Sequence, residues 1–140
     1  MVIGVTGSRL GATEYQLDTF KHIIDRLNID VFHHGMCKGV DKICSDIVRL
    51  QSPDTYIIAH PPLIDTYIAE NAIYDKLEDK YDYLERNKHI VDNCNLLIAL
   101  PNTDKEQLRS GTFSTIRYAK KKGMKVIIIY PKRIEVIDNI

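Results

Sequence analysis

The chain has no excess of charge of either sign, because 19 Lys and Arg residues balance 19 Asp and Glu residues and the formal net charge is zero. A protein whose whole surface binds nucleic acid is usually basic, so this balance argues against nucleic acid as the partner. No apolar run approaches the roughly 20 residues that a transmembrane helix needs, so we expect no membrane association.

Cysteine is also scarce, with three residues (Cys37, Cys44 and Cys94) and no Cys-x-x-Cys pair. An odd number of thiols without paired spacing is typical of a reduced, intracellular setting. Residues 1–5 lack the charged leader and the cleavage site of a signal peptide and have the pattern of a strand. These features predict a cytoplasmic protein.

What the chain does have is an alternation of short, mostly apolar runs with segments of helical period. Apolar residues recur at helical spacing in four segments, which predicts helices at residues 14–27, 40–50, 83–92 and 114–122. The apolar runs predict strands at residues 2–6, 31–34, 55–59, 96–100 and 126–130. Residues 63–82 predict a loop with one helical turn, and the last ten residues predict an edge strand or a tail.

Strands that are separated by helices and apolar throughout indicate a parallel sheet that is covered on both faces. At 140 residues we expect a single domain over residues 1–140, an α/β Rossmann-like three-layer domain with a mainly parallel sheet. In such a sheet, ligands bind beyond the carboxyl ends of the strands.

Three glycine-containing turns fall at that edge, at residues 4–9, 34–41 and 109–112. A turn of this kind places backbone N–H groups at or near a helix N-terminus, where phosphate binds readily. The three turns together therefore predict a ligand that contains phosphate.

Four motifs follow one another along the chain: Gly-Met-Cys-Lys-Gly-Val-Asp at 35–41, Arg-Asn at 86–87, Leu-Ile-Ala-Leu-Pro at 97–101 and Ser-Gly-Thr at 110–112. In this order the chain resembles the SLOG superfamily, a Rossmann-like group that includes the DNA-processing protein DprA and the LOG (lysine-decarboxylase-like) phosphoribohydrolases. The first two motifs are similar to those of DprA-type members, with Lys38 in place of arginine. The last two are similar to those of the LOG enzymes. The resemblance covers residues 1–131 and implies a SLOG-like nucleotide-binding domain.

One departure from the LOG pattern bears on the activity that the resemblance implies. LOG enzymes carry a glutamate three residues after the threonine of the last motif, and this chain has Thr115 there. In LOG enzymes that glutamate and the helix arginine are taken to cleave the bond between base and ribose phosphate. Arg86 is kept and the acid is lost. The resemblance therefore favours a protein that binds, and thereby senses or sequesters, a nucleoside phosphate or an ADP-ribose-like signal.

Two alternatives stay open, and with them the question whether the chain is an enzyme. One is a LOG-type phosphoribohydrolase or N-glycosidase that acts on nucleoside monophosphates, with Arg86 and Asp41 as the catalytic candidates. In that case Asp41, Asp104 or Glu106 replaces the lost acid. The other is single-stranded DNA binding of the DprA kind, which needs a basic groove with aromatic platforms.

The predicted ligand-binding residues lie at the turns and motifs: Gly7, Ser8, Arg9, Gly35, Met36, Cys37, Lys38, Gly39, Asp41, Arg86, Asn87, Pro101, Ser110, Gly111 and Thr112. Arg9 suits phosphate because a guanidinium binds it in a bidentate manner. Asp41 suits sugar hydroxyls, although a carboxylate near a helix N-terminus is also favourable without any ligand. Tyr74, Tyr81 and Tyr83 are candidates for stacking on a base.

Neither a metal nor a cofactor is predicted. His33 and His34 are neighbours on a strand and so point to opposite faces, and no further His or Cys cluster completes a tetrahedral set. Relatives within the superfamily often pair through helices, so the resemblance implies a homo-oligomer, a dimer or higher.

Overall fold

In the computed structural model, which describes residues 1–138 with the side chain of residue 65 left aside, seven strands form one sheet. The strands are β1 (Val2–Gly7), β2 (Val31–His34), β3 (Tyr56–Ala59), β4 (Lys76–Leu77), β5 (Leu96–Leu100), β6 (Lys125–Ile129) and β7 (Ile134–Ile137). The helices are α1 (Glu14–Arg26), α2 (Val40–Gln51), α3 (Tyr83–Asp92) and α4 (Gly111–Lys121), with a short 3₁₀ turn at Asp65–Tyr67.

The strand order is β4-β3-β2-β1-β5-β6-β7, and the pairing is parallel except between β6 and β7. The chain builds outward from β1 to β4 and then crosses back to β5 on the other side of β1. Gly4 accordingly pairs with His33 of β2 and with Leu97 of β5. Such a reversal of strand order opens a crevice at the carboxyl ends of the strands, which is where open parallel sheets bind ligands.

Two hydrophobic cores, one on each face of the sheet, complete the three layers. Phe20 of α1 and Val48 of α2 pack in the first core, and Phe113 and Ile116 of α4 pack in the second. Alternate residues of β5 enter opposite cores, because successive side chains of a strand point to opposite faces. The predicted α/β Rossmann-like architecture with a mainly parallel sheet is confirmed. Among the helices of residues 1–138, none is long and apolar enough to span a membrane.

The structure differs from the sequence-based prediction in two elements. Helix α4 begins at Gly111, three residues before the predicted start, because Ser110 caps it and the first turn carries little apolar periodicity. The exposed strand β4 was not predicted, since it has only two residues and pairs with the end of β3. The prediction of an edge strand in the last ten residues is confirmed by β7, and residues 139 and 140 lie outside the described part.

Candidate functional site

A cleft of about 720 Å³ opens at the carboxyl ends of β1, β2, β3 and β5. Arg9 from the turn after β1 and Cys37 from the turn after β2 contribute to its wall. The remainder of the wall comes from residues 62–67, from the start of α3 and from the turn that leads into α4. The volume falls within the range of small-molecule sites, and the position is the one expected for this fold.

One end of the cleft is positively charged. The guanidinium carbon of Arg9 lies 3.7 Å from the ring centre of Tyr67, a cation–π contact that fixes its side chain. Arg109 lines the cleft next to Ser110, so a second guanidinium belongs to the N-terminus of α4. Both arginines are exposed and line the cleft.

The N-terminus of α4 adds backbone donors to this end. The Ser110 hydroxyl oxygen accepts the N–H of Phe113 at 3.3 Å and caps the helix. Among the described residues, the amides of Gly111 and Thr112 have no hydrogen-bond partner. A Cβ at Gly111 would collide with the ring of Tyr83, so the glycine allows that ring to lie against the helix start. Free amides at a helix N-terminus bind anions readily.

Large apolar side chains form the remaining walls of the cleft. Leu63, Ile64 and Tyr67 line one side, and Leu84 and Leu108 line the other. Ile64 is 65% exposed and Leu108 is 85% exposed, although both are large and apolar. A concentration of exposed apolar surface around one cleft is typical of a binding site. The cleft is therefore suited to a ligand with an anionic end and a flat or apolar body.

The turn at residues 35–41 has a different character, because most of its backbone donors already bond within the protein. The N–H of Cys37 donates to the Asp41 carboxylate at 3.2 Å, and the N–H of Lys38 donates to the Tyr67 carbonyl at 2.9 Å. The N–H of Met36 donates to the His34 ring at 2.9 Å, although φ of Met36 is 57°, a left-handed value that side chains disfavour.

The first residues of α2 are closed against the turn after β1. The N–H of Val40 donates to the carbonyl of Ser8 at 3.0 Å. Gly39 has φ 86°, and a Cβ there would lie 2.5 Å from the same carbonyl oxygen. A Cβ at Gly7 would lie 2.5 Å from Val40. The glycines of the first two turns therefore serve a close contact between backbone and helix.

Arg86 holds this region together from behind the cleft. It is 2% exposed, and its Nη1 donates to the carbonyls of Gly35 and, at 3.2 Å, of His60. Its Nε donates to Oδ1 of Asn87 at 2.9 Å. A Cβ at Gly35 would lie 2.5 Å from Nη1 and 2.8 Å from the Asp41 carboxylate, so the glycine allows both groups to approach the backbone. The guanidinium thus connects the ends of β2 and β3.

Burial controls protonation around Arg86. Burial raises the pKa of Asp41 to about 6, while Arg86 and the Cys37 amide act in the opposite direction. Burial also lowers the pKa of His33 to about 4 and that of His60 to about 3. The two rings are joined by a hydrogen bond of 2.8 Å and are neutral at pH 7. Within residues 1–138, no group of three His, Cys, Asp or Glu side chains is arranged to hold a metal ion.

The residues predicted from sequence therefore fall into two groups. Four of them line the cleft: Arg9, Cys37, Ser110 and Gly111. Others are buried and their side chains do not line it, including Asp41, Arg86, Asn87, Pro101 and Thr112. Pro101 contributes its carbonyl to Gln16 of α1 at 2.6 Å. Met36 and Lys38, in the turn after β2, do not line the cleft.

Sequence reasoning missed Arg109, Tyr67 and the apolar walls. Arg109 directly precedes the Ser-Gly-Thr motif, so its position was a usable signal. Tyr67 lies in a segment without periodicity, which gave no signal. Of the three tyrosines considered for stacking, Tyr83 lines the cleft, whereas Tyr81 stacks on His89 with ring centres 4.3 Å apart.

Models of known protein families give no match to this chain, and no curated protein matches it in sequence. Solved structures do match its fold. A molybdenum cofactor binding protein from the phototrophic bacterium Rippkaea orientalis has a TM-score of 0.65 at 20% identity, over 92% of this chain and 76% of that one. The structural-genomics target TM1055 has a TM-score of 0.63 at 14% identity, over 89% of this chain and 71% of that one. Both are consistent with a Rossmann-like fold, and at this identity they bear on the fold alone.

Proposed function

We propose that the protein binds a nucleotide-derived small molecule, such as a nucleoside phosphate or an ADP-ribose-like signal, in the cleft between the β1 turn and α4. The observation that carries the proposal is the combination of an anion-binding end and apolar walls in one cleft. The anion-binding end consists of Arg9, Arg109 and the free amides of Gly111 and Thr112. The walls include the ring of Tyr83.

The phosphate binds at the N-terminus of α4 in this proposal. Two amides of the first helical turn have no partner among the described residues, and the helix dipole favours negative charge there. Arg109 and Arg9 add charge-assisted hydrogen bonds, which are roughly twice as strong as neutral ones.

The body of the ligand lies against the apolar walls, where aromatic and leucine side chains bind a flat heterocycle by its faces. Arg9 already covers one face of the Tyr67 ring, so Tyr83 is the other aromatic side chain available for contact, beside the aliphatic walls of the cleft. The molybdenum cofactor belongs among the ligands to test, because a protein of similar fold is described as binding it.

Three features favour binding over cleavage. Arg86, which the LOG resemblance makes a catalytic candidate, donates to protein carbonyls and does not line the cleft. Asp41 is buried behind the same wall. The hydroxyl of Thr115 donates to the Gly111 carbonyl at 2.8 Å, within its own helix. The proposal is therefore that the ligand is sensed or sequestered.

Native mass spectrometry of protein purified from cells, followed by thermal-shift and calorimetric titration, tests the proposal. The panel is adenosine, AMP, ADP, ADP-ribose and the molybdenum cofactor. We expect phosphorylated ligands to bind and adenosine to bind at least tenfold more weakly. Arg109→Met lowers the affinity at least tenfold, whereas Arg26→Met, an exposed change on α1, leaves it within twofold.

Other results favour the alternatives or overturn the proposal. Release of free base from AMP would indicate a LOG-type hydrolase instead. Tight, steeply salt-dependent binding of an oligonucleotide would indicate the DprA-like function. A clean apo mass together with no thermal shift across the panel would contradict ligand binding altogether.

The proposal also includes a cytoplasmic setting and a homo-oligomer. All three cysteines are buried and free, which is consistent with a reducing compartment. The native mass gives the number of copies in the same experiment, and a monomeric mass at micromolar concentration would remove the oligomer from the proposal.

A further inference from the structure

A second, smaller pocket of about 200 Å³ lies between α3 and α4. Its lining residues are Leu84, Asn87, Lys88, Ser114, Thr115 and Tyr118. Leu84 and Ser114 also line the main cleft, so the two spaces adjoin each other. A ligand in the cleft that follows the side of α4 reaches this pocket.

Asn87 lines this pocket with an unused hydrogen-bond donor. The residue is 6% exposed, and its Oδ1 accepts the Nε–H of Arg86 at 2.9 Å. A guanidinium has no acceptor, so this bond fixes which atom of the amide faces Arg86. The other atom, Nδ2, is buried and has no hydrogen-bond partner among the described residues. A buried donor without an acceptor costs about 1–3 kcal/mol, so an oxygen atom at this place is favoured.

The other polar side chains of the pocket indicate whether that oxygen belongs to a neutral or to a negatively charged group. Lys88 is the charged residue among the six lining residues. Its Nζ lies 5.6 Å from the ring centre of Tyr118. The Tyr118 hydroxyl pairs with Asp92 at 2.8 Å, and the Thr115 hydroxyl donates to Gly111. An amide donor and an ammonium group recognise an oxyanion, and the Ser114 hydroxyl, which also lines the pocket, is able to donate to the same group.

We propose that the pocket between α3 and α4 is a second ligand subsite that receives an oxyanion, with Asn87 as its hydrogen-bond donor. This inference rests on the proposed function and narrows it, because the ligand then carries two anionic groups. Ser110 and Thr115 are five residues apart on one helix, which separates the two subsites by roughly 7–8 Å along its axis. The ligand class is a small molecule with two phosphates at separate positions, such as a nucleoside bisphosphate.

Calorimetric titration with AMP and with adenosine 3′,5′-bisphosphate measures the second subsite as a ratio of affinities. We expect the wild-type protein to bind the bisphosphate at least tenfold more tightly than AMP. Asn87→Asp keeps an oxygen for Arg86 and replaces the donor by a carboxylate, so the ratio falls to about one. Asn93→Asp places the same charge at the end of α3 and leaves the ratio unchanged.

Lys88→Met is a second variant at an exposed position, where folding is not at stake, and it lowers the ratio at least threefold. If the wild type binds AMP and the bisphosphate equally, or if Asn87→Asp and Lys88→Met preserve the preference, the second subsite is wrong while the proposed function stands. If neither nucleotide binds, the proposed function loses these two ligands and depends on the remaining members of the panel.

If neither nucleotide binds, a titration with inorganic phosphate tests whether the second subsite exists. The side-chain amide signal of Asn87 is followed by NMR. A saturable shift that is absent for the Asn93 side chain supports the subsite. An Asn87 signal that does not move overturns it.

Discussion

The turns at residues 35–41 and 109–112 both lead from a strand to a helix at the same edge of the sheet, and both contain glycine. In the first, Asp41, Ser8 and Tyr67 accept the amides of Cys37, Val40 and Lys38, so groups of the protein itself occupy most of this turn. In the second, the amides of Gly111 and Thr112 have no partner among the described residues, and Gly111 lines the cleft. We therefore expect a glycine-containing helix start to bind an anion only where few acceptors of the chain reach it. We call the first the closed turn and the second the open turn.

The largest expected difference between the two turns comes from their arginines. Arg86→Met removes a buried guanidinium and leaves the carbonyls of Gly35 and His60 without their donor. We expect the free energy of unfolding to fall by about 4 kcal/mol in urea titration. Arg109→Met, at the open turn, changes it by less than about 0.5 kcal/mol and lowers ligand affinity instead. Equal free energies of unfolding for the two variants would contradict the distinction between the closed and the open turn.

Glycine-to-alanine substitutions separate the turns by a second route. In Gly35→Ala the new methyl group meets a guanidinium that is held on several sides, and we expect a loss of about 3 kcal/mol. In Gly111→Ala it meets the ring of Tyr83, which borders the cleft and has room to turn. We expect a smaller loss of stability and weaker ligand binding, measured by urea titration and calorimetry. A Gly35→Ala protein as stable as wild type would show that the closed turn is not tightly packed.

The closed turn also carries a dependence on pH that the open turn lacks. The pKa of Asp41 is raised to about 6, so the native state holds this proton more tightly than the unfolded state does. This contribution to stability is present at low pH and is lost as pH rises from about 4 to about 6. The free energy of unfolding of the wild type relative to Asp41→Asn should fall by about 3 kcal/mol over this window and then stay level. The buried histidines are present in both proteins, so their contribution to the pH dependence cancels in this difference. A difference in the free energy of unfolding that does not vary with pH would contradict the raised pKa of Asp41.

The smallest expected effect lies in the cap of the open turn. Ser110→Ala removes the hydroxyl that accepts the Phe113 amide, and we expect a loss of about 1 kcal/mol in thermal or urea unfolding. Ser114→Ala, within the same helix, serves as the control and should change stability by a few tenths of a kcal/mol. If the two variants lose the same stability, Ser110 does not cap α4 in solution.

The sheet and its helices could be predicted because their signals are local. The apolar runs at β2, β5 and β6 are buried in the middle of a parallel sheet, and α3 runs over the ten residues that its periodicity indicated. Strand β4 could not be predicted, because two charged or exposed residues become a strand only by pairing with β3. Apolar periodicity in a sequence reflects burial, and an exposed edge strand has little apolar periodicity.

The location of the site could be predicted, but the division between closed and open turns could not. Glycine turns at the carboxyl edge of a parallel sheet indicate where a ligand binds. Whether a turn is closed depends on acceptors that arrive from elsewhere in the chain, such as the carbonyls of Ser8 and Tyr67. The unpaired amide of Asn87 depends likewise on the approach of α4 to α3.

The position of Arg86 has a consequence for how the molecule opens. Its Nη1 bonds reach back 51 residues to Gly35 and 26 residues to His60. The buried guanidinium loses much of its hydration, and its hydrogen bonds to both carbonyls compensate for that loss. If one strand end detaches, the guanidinium loses an acceptor, which destabilises the other strand end as well. The ends of β2 and β3 should therefore form one cooperative unit in native-state hydrogen exchange, with the amides of Cys37 and His60 opening together.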